Sequence, residues 1–138
     1  MDCLFCNIAN KSIPANIVYE DDATVAFLDI HPRSEGHTVI VPKRHAENIL
    51  DADDADVSAT FLTTKRVAGI LNNTLHPVHP AGFTIGVNHG EASGQAVPHF
   101  HAHVIPRYAG DGGGSVHSVV NFPPKESLED ILKKIKSM

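Results

Sequence analysis

Apolar and polar residues change period along the chain, and the changes mark its elements. Residues 4–10 fit a short helical turn that ends near Lys11-Ser12-Ile13-Pro14. Ile17-Val18-Tyr19 reads as a strand, Glu20-Asp21-Asp22 as a turn, and residues 24–28 as a second strand, its hairpin partner. A loop over residues 31–36 leads into a third strand, residues 37–41, which Pro42 stops. Residues 46–50 predict a single helical turn. The clearest helix follows: Val57, Phe61, Ala68, Leu71 and Leu75 share one stripe, with Leu62 beside it. Asp53 and Asp54 supply its cap and a favourable charge, and Asn72-Asn73 with His76-Pro77 end it. Phe83, Ile85 and Val87 alternate with Thr84, Gly86 and Asn88 as a fourth strand. A last helix, capped by Ser127 with Asp130 in the reaching-back position, is expected to bury Leu128, Ile131, Leu132 and Ile135. Hairpin-like strands with two substantial helices predict an α+β fold with an antiparallel sheet.

The fifth strand carries the unusual pattern. In His99-Phe100-His101-Ala102-His103, histidines and apolar residues alternate strictly, and the run continues into Val104, Ile105 and Pro106. On a strand the three imidazoles share one face, and Phe100, Ala102 and Val104 share the other. Each ring lies about 7 Å from the next. The middle ring is flanked on both sides by a group able to donate a hydrogen bond or carry a proton. Imidazole titrates near neutral pH, ligates metals and acts as a nucleophile. The spacing leaves three readings open: polar histidines on a half-buried strand, a metal site, and a catalytic centre.

Length and composition narrow the setting. The chain has 138 residues, 42% of them hydrophobic, which fits a single domain over 1–138 with a sizeable core. A net charge of −5 argues against a general nucleic-acid-binding surface. No apolar run reaches the roughly 18 residues of a membrane span, so no membrane partner is expected. Met1-Asp2-Cys3 does not begin a basic region followed by an apolar stretch, so no signal peptide is expected. The two cysteines, Cys3 and Cys6, give no disulfide framework, and a reducing cytoplasm is the expected location.

Around the histidines, Asn88 closes one strand and Gln95 lies four residues before His99. Gly90 and Gly94 allow backbone N–H groups to approach an anion, although glycine and asparagine are also ordinary turn residues. His37 follows Gly36 and can face a cleft or simply be exposed. The glycine-rich stretch over residues 110–114 lacks a Walker lysine and a following helix, so it is not a P-loop. Cys3-x-x-Cys6 has the spacing of a zinc half-site, and also of two buried thiols.

The segment from Gly94-Gln95-Ala96-Val97-Pro98 through the histidine run to Arg107-Tyr108 resembles the signature of the histidine triad (HIT) family. Cys3-Leu4-Phe5-Cys6-Asn7-Ile8, Ile13-Pro14-Ala15, Phe27-Leu28-Asp29-Ile30 and the block from Gly36-His37 to Arg44-His45 resemble further family blocks in the family's order. The resemblance covers about residues 3–108 and points to the bacterial and archaeal nucleoside phosphoramidase-like branch. It implies a HIT-like α+β fold: a five-stranded antiparallel sheet, one long helix and a C-terminal helix.

The resemblance also implies chemistry at an α-phosphate of a purine nucleotide, in nucleoside phosphoramidates or dinucleoside polyphosphates. His101 corresponds to the nucleophile that forms a covalent nucleotidyl-histidine. His37 and His103 match phosphate contacts, Asn88 and Gln95 match polar positions beside it, and Val97 supplies a backbone N–H. Asp29 matches the carboxylate that accepts from ribose hydroxyls. Phe5, Ile8, Phe27 and Ile30 match the base pocket, though composition alone favours plain core for Phe5, Ile8 and Phe27. Relatives with Cys-x-x-Cys complete a structural Zn²⁺ site with two histidines, here His45 and His99. They are usually homodimers. The sequence departs from many relatives at Ala96, where a hydroxyl is common; that residue favours a competing reading as a nucleotide-binding or scaffold protein with little catalysis. A metallohydrolase using all three triad histidines is a third reading. Residues 109–138 carry the weakest resemblance.

Overall fold

The computed structural model describes residues 3–137. Met1 and Asp2, on which part of the signal-peptide expectation rests, lie outside the described residues. The order of elements is α1 (Leu4–Ala9), β1 (Ile17–Glu20), β2 (Thr24–Leu28), β3 (Thr38–Pro42), α2 (Asp54–Thr74), β4 (Gly82–Gly86), β5 (Ala102–Arg107) and α3 (Leu128–Ile135). The five strands form one antiparallel sheet in the order β1-β2-β3-β5-β4. The expected α+β architecture is present, with its long helix and its C-terminal helix.

Local chemistry fixes the first hairpin. Asp21 Oδ1 accepts from the Ala23 and Thr24 amides at 2.9 and 2.8 Å, closing the turn between β1 and β2. The alternating side chains then divide between two layers. Val25, Phe27, Val39 and Val41 pack beneath α1 with Cys3, Phe5 and Ile8. Ala26, Ile40 and Val104 pack on the other face with Val67 and Leu71 of α2. The sheet is covered on both sides, and β3 and β5 lie side by side at its centre.

Five expectations need correction. Residues 46–50 form bends and a turn rather than a helical turn. The Asn48 side-chain oxygen takes the Leu50 and Asp51 amides at 3.0 and 3.1 Å, a local bond that competes with helix formation. In α2 the buried face is Thr60, Thr63, Thr64, Val67 and Leu71, while Phe61 and Leu62 are 40% and 56% exposed. The threonines bury at little cost because Thr60 and Thr64 donate to the Asp56 and Thr60 carbonyls one turn back. Thr63 meets Thr24 across the layer at 2.7 Å; since Thr24 donates to the Asp21 carboxylate, Thr63 is the donor of that pair.

At the start of α2, Asp53 occupies the N-cap but makes no capping bond. Its carboxylate is held instead by Arg44 at 2.9 Å. Helix α3 is capped as expected by Ser127, which accepts the Asp130 amide. Its apolar face is not buried, however: Leu128, Leu132 and Ile135 are 78%, 51% and 67% exposed, because none of the other described residues covers it. Finally, β5 begins at Ala102, so only His103 of the triad lies on a paired strand. His99 and His101 sit in the lead-in, where the Phe100 amide is taken by the Ala46 carbonyl and the His99 amide turns back onto Val97.

Candidate functional site

The main chain sets the state of each histidine. The Nδ1 of His101 lies 2.7 Å from the His99 carbonyl oxygen. A carbonyl only accepts, so Nδ1 carries the proton and Nε2 keeps its lone pair. His101 is only 6% exposed, and the Phe5 ring packs edge-on against it with centroids 5.0 Å apart. Burial holds its pKa below the usual imidazole value, against the stabilising His99 carbonyl, so the ring is neutral at pH 7. A buried, neutral imidazole with its second nitrogen unprotonated is a competent nucleophile.

His37 and His103 form a second ordered pair. The Arg33 amide donates to His37 Nδ1 at 3.1 Å, so the His37 proton resides on Nε2. That nitrogen lies 3.0 Å from His103 Nδ1, which accepts, leaving the His103 proton on its own Nε2. Asp29 Oδ2 stands 3.6 Å from His37 Nε2 and can hold positive charge there. Burial, followed by the neighbouring His101 and His37, pushes His103 down to about 4. Asp29, His37 and His103 are close enough to share an ion. The Arg33 amide argues against that use, because it occupies the lone pair of His37 and fixes a proton on the nitrogen that would ligate. Within the trio Asp29 only accepts and His37 Nε2–H is given to His103, so His103 Nε2–H is the group left to donate to an anion. Gly36 makes the approach possible: its φ is +92°, and a Cβ there would lie 2.7 Å from Leu75 Cδ1.

Cys3, Cys6, His45 and His99 converge on the other side of His101. His99 Nε2 donates to the Pro42 carbonyl at 2.8 Å, which leaves Nδ1 as a lone pair. That nitrogen is 3.3 Å from Cys3 Sγ, 3.5 Å from Cys6 Sγ and 3.2 Å from His45 Nδ1, and Cys6 Sγ is 3.3 Å from His45 Nδ1. Zinc bonds of about 2.0 Å to nitrogen and about 2.3 Å to sulfur give tetrahedral edges of roughly 3.3–3.8 Å, close to this set. The cysteines are not joined in a disulfide. Burial and the Cys3 thiol push the Cys6 thiol up to about 11, so a bound cation would have to displace its proton. Two thiols and two imidazoles fit a closed, structural Zn²⁺ site.

The remaining expected residues are placed as follows. Phe5, Ile8 and Phe27 lie together in the core beneath α1, with Phe5 and Phe27 edge-to-face at 5.3 Å. Ile30 stands apart, 79% exposed. Asn88 lies two residues beyond the end of β4. Gln95 is occupied within the chain: its oxygen takes the Gly90 amide, and its nitrogen donates to the Glu47 and Val97 carbonyls. It therefore braces the loop that carries Ala96 and Val97, and Val97 packs against the core. The groups that sequence reading missed are main-chain atoms: the carbonyls of His99 and Pro42 and the amide of Arg33. Any residue supplies such groups, so no side-chain pattern could have marked them.

Comparison with known proteins identifies the family and the fold. The family model described as HIT domain matches residues 10–110. An uncharacterized HIT-like protein of Methanocaldococcus jannaschii is 40% identical over 136 residues, covering 97% of this chain and 98% of that protein. The adenylylsulfatase HINT3 of Arabidopsis thaliana is 36% identical over 106 residues, covering 77% of this chain and 52% of that protein. The crystal structure of a zinc-bound histidine triad family protein from Mycobacterium smegmatis superposes with a TM-score of 0.74 at 36% identity, covering 81% of this chain and 79% of that one. With its triad, its sheet order and these relatives, the chain belongs to the HIT family.

Proposed function

We propose that this protein is a nucleotide hydrolase or transferase acting at the α-phosphate of nucleoside phosphoramidates or dinucleoside polyphosphates. The observation that carries the reading is the His101 ring, buried and neutral, with its proton held on Nδ1 by the His99 carbonyl. In the first step His101 Nε2 forms a bond to the α-phosphorus as the bond to the leaving group breaks, and the leaving group departs with the electron pair and takes up a proton, which the water of the second step gives back to the medium. Water then attacks the nucleotidyl-histidine, releases the mononucleotide and returns the lone pair to Nε2. Dividing the displacement into two makes each step easier. His103, protonated on Nε2, and backbone N–H groups of the Gly94–Val97 loop would stabilise the charge that grows on the phosphate oxygens. Asp29 would accept from the ribose, and Phe5, Ile8, Phe27, Ile30 and Asn88 would line the nucleotide. The relation to an adenylylsulfatase supports hydrolysis at an adenylyl phosphorus.

In this reading Cys3, Cys6, His45 and His99 hold structural Zn²⁺, supported by their near-tetrahedral spacing and by the zinc-bound relative. When bound, the ion would cross-link α1 to the triad lead-in. A cytoplasmic homodimer belongs to the same reading; a second copy would cover apolar side chains such as Leu62 and Leu132, which are 56% and 51% exposed. The competing reading, a binding or scaffold protein with little catalysis, is favoured by Ala96, which places a methyl group on the wall of a pocket of ≈ 620 Å³, at a position where a hydroxyl is common in the family. Intact-mass measurement after mixing with adenosine phosphoramidate and quenching in denaturant decides between them. An adenylyl adduct that is lost in His101→Ala supports the enzyme; unmodified protein with tight nucleotide binding supports the scaffold.

A further inference from the structure

We propose that the Cys3-Cys6-His45-His99 centre is a positioning device for His101, so that occupancy of the metal site governs the state of the nucleophile. This rests on the reading of His101 as the nucleophile. Two separate arms connect the centre to that ring.

The first arm is the His99 main chain. Its ring is restrained at both nitrogens: Nε2 on the Pro42 carbonyl at 2.8 Å, and Nδ1 among the two sulfurs and His45. A side chain fixed at both ends of its ring fixes its own Cα and carbonyl. That carbonyl is the group 2.7 Å from His101 Nδ1. Displacement of the His99 carbonyl would free the His101 proton to move to Nε2, the nitrogen that must attack.

The second arm is Phe5. Cys3 is the N-cap of α1, accepting the Cys6 amide at 3.4 Å, and Phe5 lies between the two sulfur ligands. Its ring packs edge-on against both histidines, with centroids 6.0 Å from His99 and 5.0 Å from His101. Helix α1 has only 6 residues, far fewer than the roughly 12 an isolated helix needs. Its first turn therefore depends on tertiary contacts: the core burial of Phe5 and Ile8, and whatever holds the two sulfurs. Phe5 and His99 are positioning residues in this scheme, acting on chemistry through His101.

The test reads the His101 ring directly. Protein labelled with ¹⁵N in histidine is compared zinc-loaded, stripped by chelator and reloaded, with two-bond ¹H–¹⁵N correlations giving the tautomer. The expected result is a single Nδ1–H form in the loaded protein, a second set of His101 signals after stripping, and recovery on reloading. Zinc-loaded Phe5→Leu, which keeps all four ligands, is expected to hold one zinc per chain yet show the second set of His101 signals in the absence of nucleotide. The proposal is overturned if the stripped protein, still folded by its sheet amide signals, keeps the single tautomer. Should stripping unfold the chain, a single tautomer in loaded Phe5→Leu overturns it instead. A wild-type chain that takes up no zinc from an equimolar solution also overturns it, while the adduct measurement still judges the nucleotide reading on its own.

Discussion

The Nδ1 of His101 and the main-chain carbonyl of His99 lie 2.7 Å apart, and this one bond decides which nitrogen of the central histidine is free to react. It makes His101 different in kind from its neighbours. His99 turns its lone pair toward two sulfurs, and His103 turns its lone pair toward His37.

Removal of the free nitrogen should therefore remove turnover. His101→Ala is expected to lower kcat/KM on an adenosine phosphoramidate by about 10⁴-fold or more, as loss of a covalent nucleophile does elsewhere. Nucleotide binding should survive, because Asp29, His37 and His103 remain. A steady-state assay beside a nucleotide titration measures both. A rate near that of the unaltered protein would exclude the covalent route.

The neutral histidines give the protein a defined acid sensitivity. His103 is pushed down to about 4, chiefly by burial, against about 6.5 in an unfolded chain. As pH falls below 6.5 the unfolded chain takes up a proton that the folded ring refuses. Stability is thus fully present above about 6.5 and is lost progressively toward about 4. Thermal midpoints measured across this window should decline, and His103→Asn should flatten the decline.

The proposed metal centre carries a matching stability prediction. Cys6→Ser keeps the side-chain size but replaces a soft thiolate, and should reduce zinc well below one atom per chain. The thermal midpoint should fall by about 5 °C or more, since a closed Zn²⁺ site contributes folding energy directly. Elemental analysis and calorimetry on the same samples test both parts. A clean preparation of the unaltered protein with far less than one zinc per chain would remove the metal from the proposed function.

Gly36 prepares the entry of His37. Its φ of +92° is strained for any residue with a Cβ, and a Cβ there would meet Leu75 Cδ1 at 2.7 Å, so the leucine side chain would have to shift. Gly36→Ala should destabilise the fold by about 1–2 kcal/mol from the left-handed backbone alone, with the clash adding to it. Urea unfolding reads the loss, and a variant as stable as the parent would contradict the geometry.

Beneath α2, Thr63 donates to Thr24 in a buried layer. Thr63→Val keeps the shape but removes the donor, and should cost about 1 kcal/mol. Leu62→Glu on the outward face should cost far less in an isolated chain. It should nevertheless disrupt the proposed homodimer, visible as a smaller particle in sedimentation.

Strands and helices were mostly legible where a single period ran through them, though the alternation over His99 to His101 continues outside the paired strand, which begins at Ala102. Residues 24–28 and the fourth strand carry alternating or unbroken apolar patterns between turn residues, and Asp21 closes the first hairpin through bonds that its own side chain predicts. The inward face of α2 was not legible. Two helical stripes compete there, and the threonine stripe won because its hydroxyls satisfy themselves on carbonyls one turn back. The apolar face of α3 was legible as a stripe, but period alone does not say whether a partner surface exists in the same chain.

The candidate site divides in the same way. The sequence by itself determined the chemical vocabulary: three alternating histidines, a Cys-x-x-Cys pair, His37 and His45, a glycine-bearing loop and the Asp29 block, all in the order of the HIT family. Only the tertiary structure decided which atom does what. His99 faces the thiols because the Pro42 carbonyl, 57 positions away, takes its other nitrogen. His103 has its proton on Nε2 because Arg33 donates an amide to His37. The physical reason is general to imidazole: its two nitrogens are alike in the sequence and become donor and acceptor only when a main-chain group from elsewhere in the fold meets one of them.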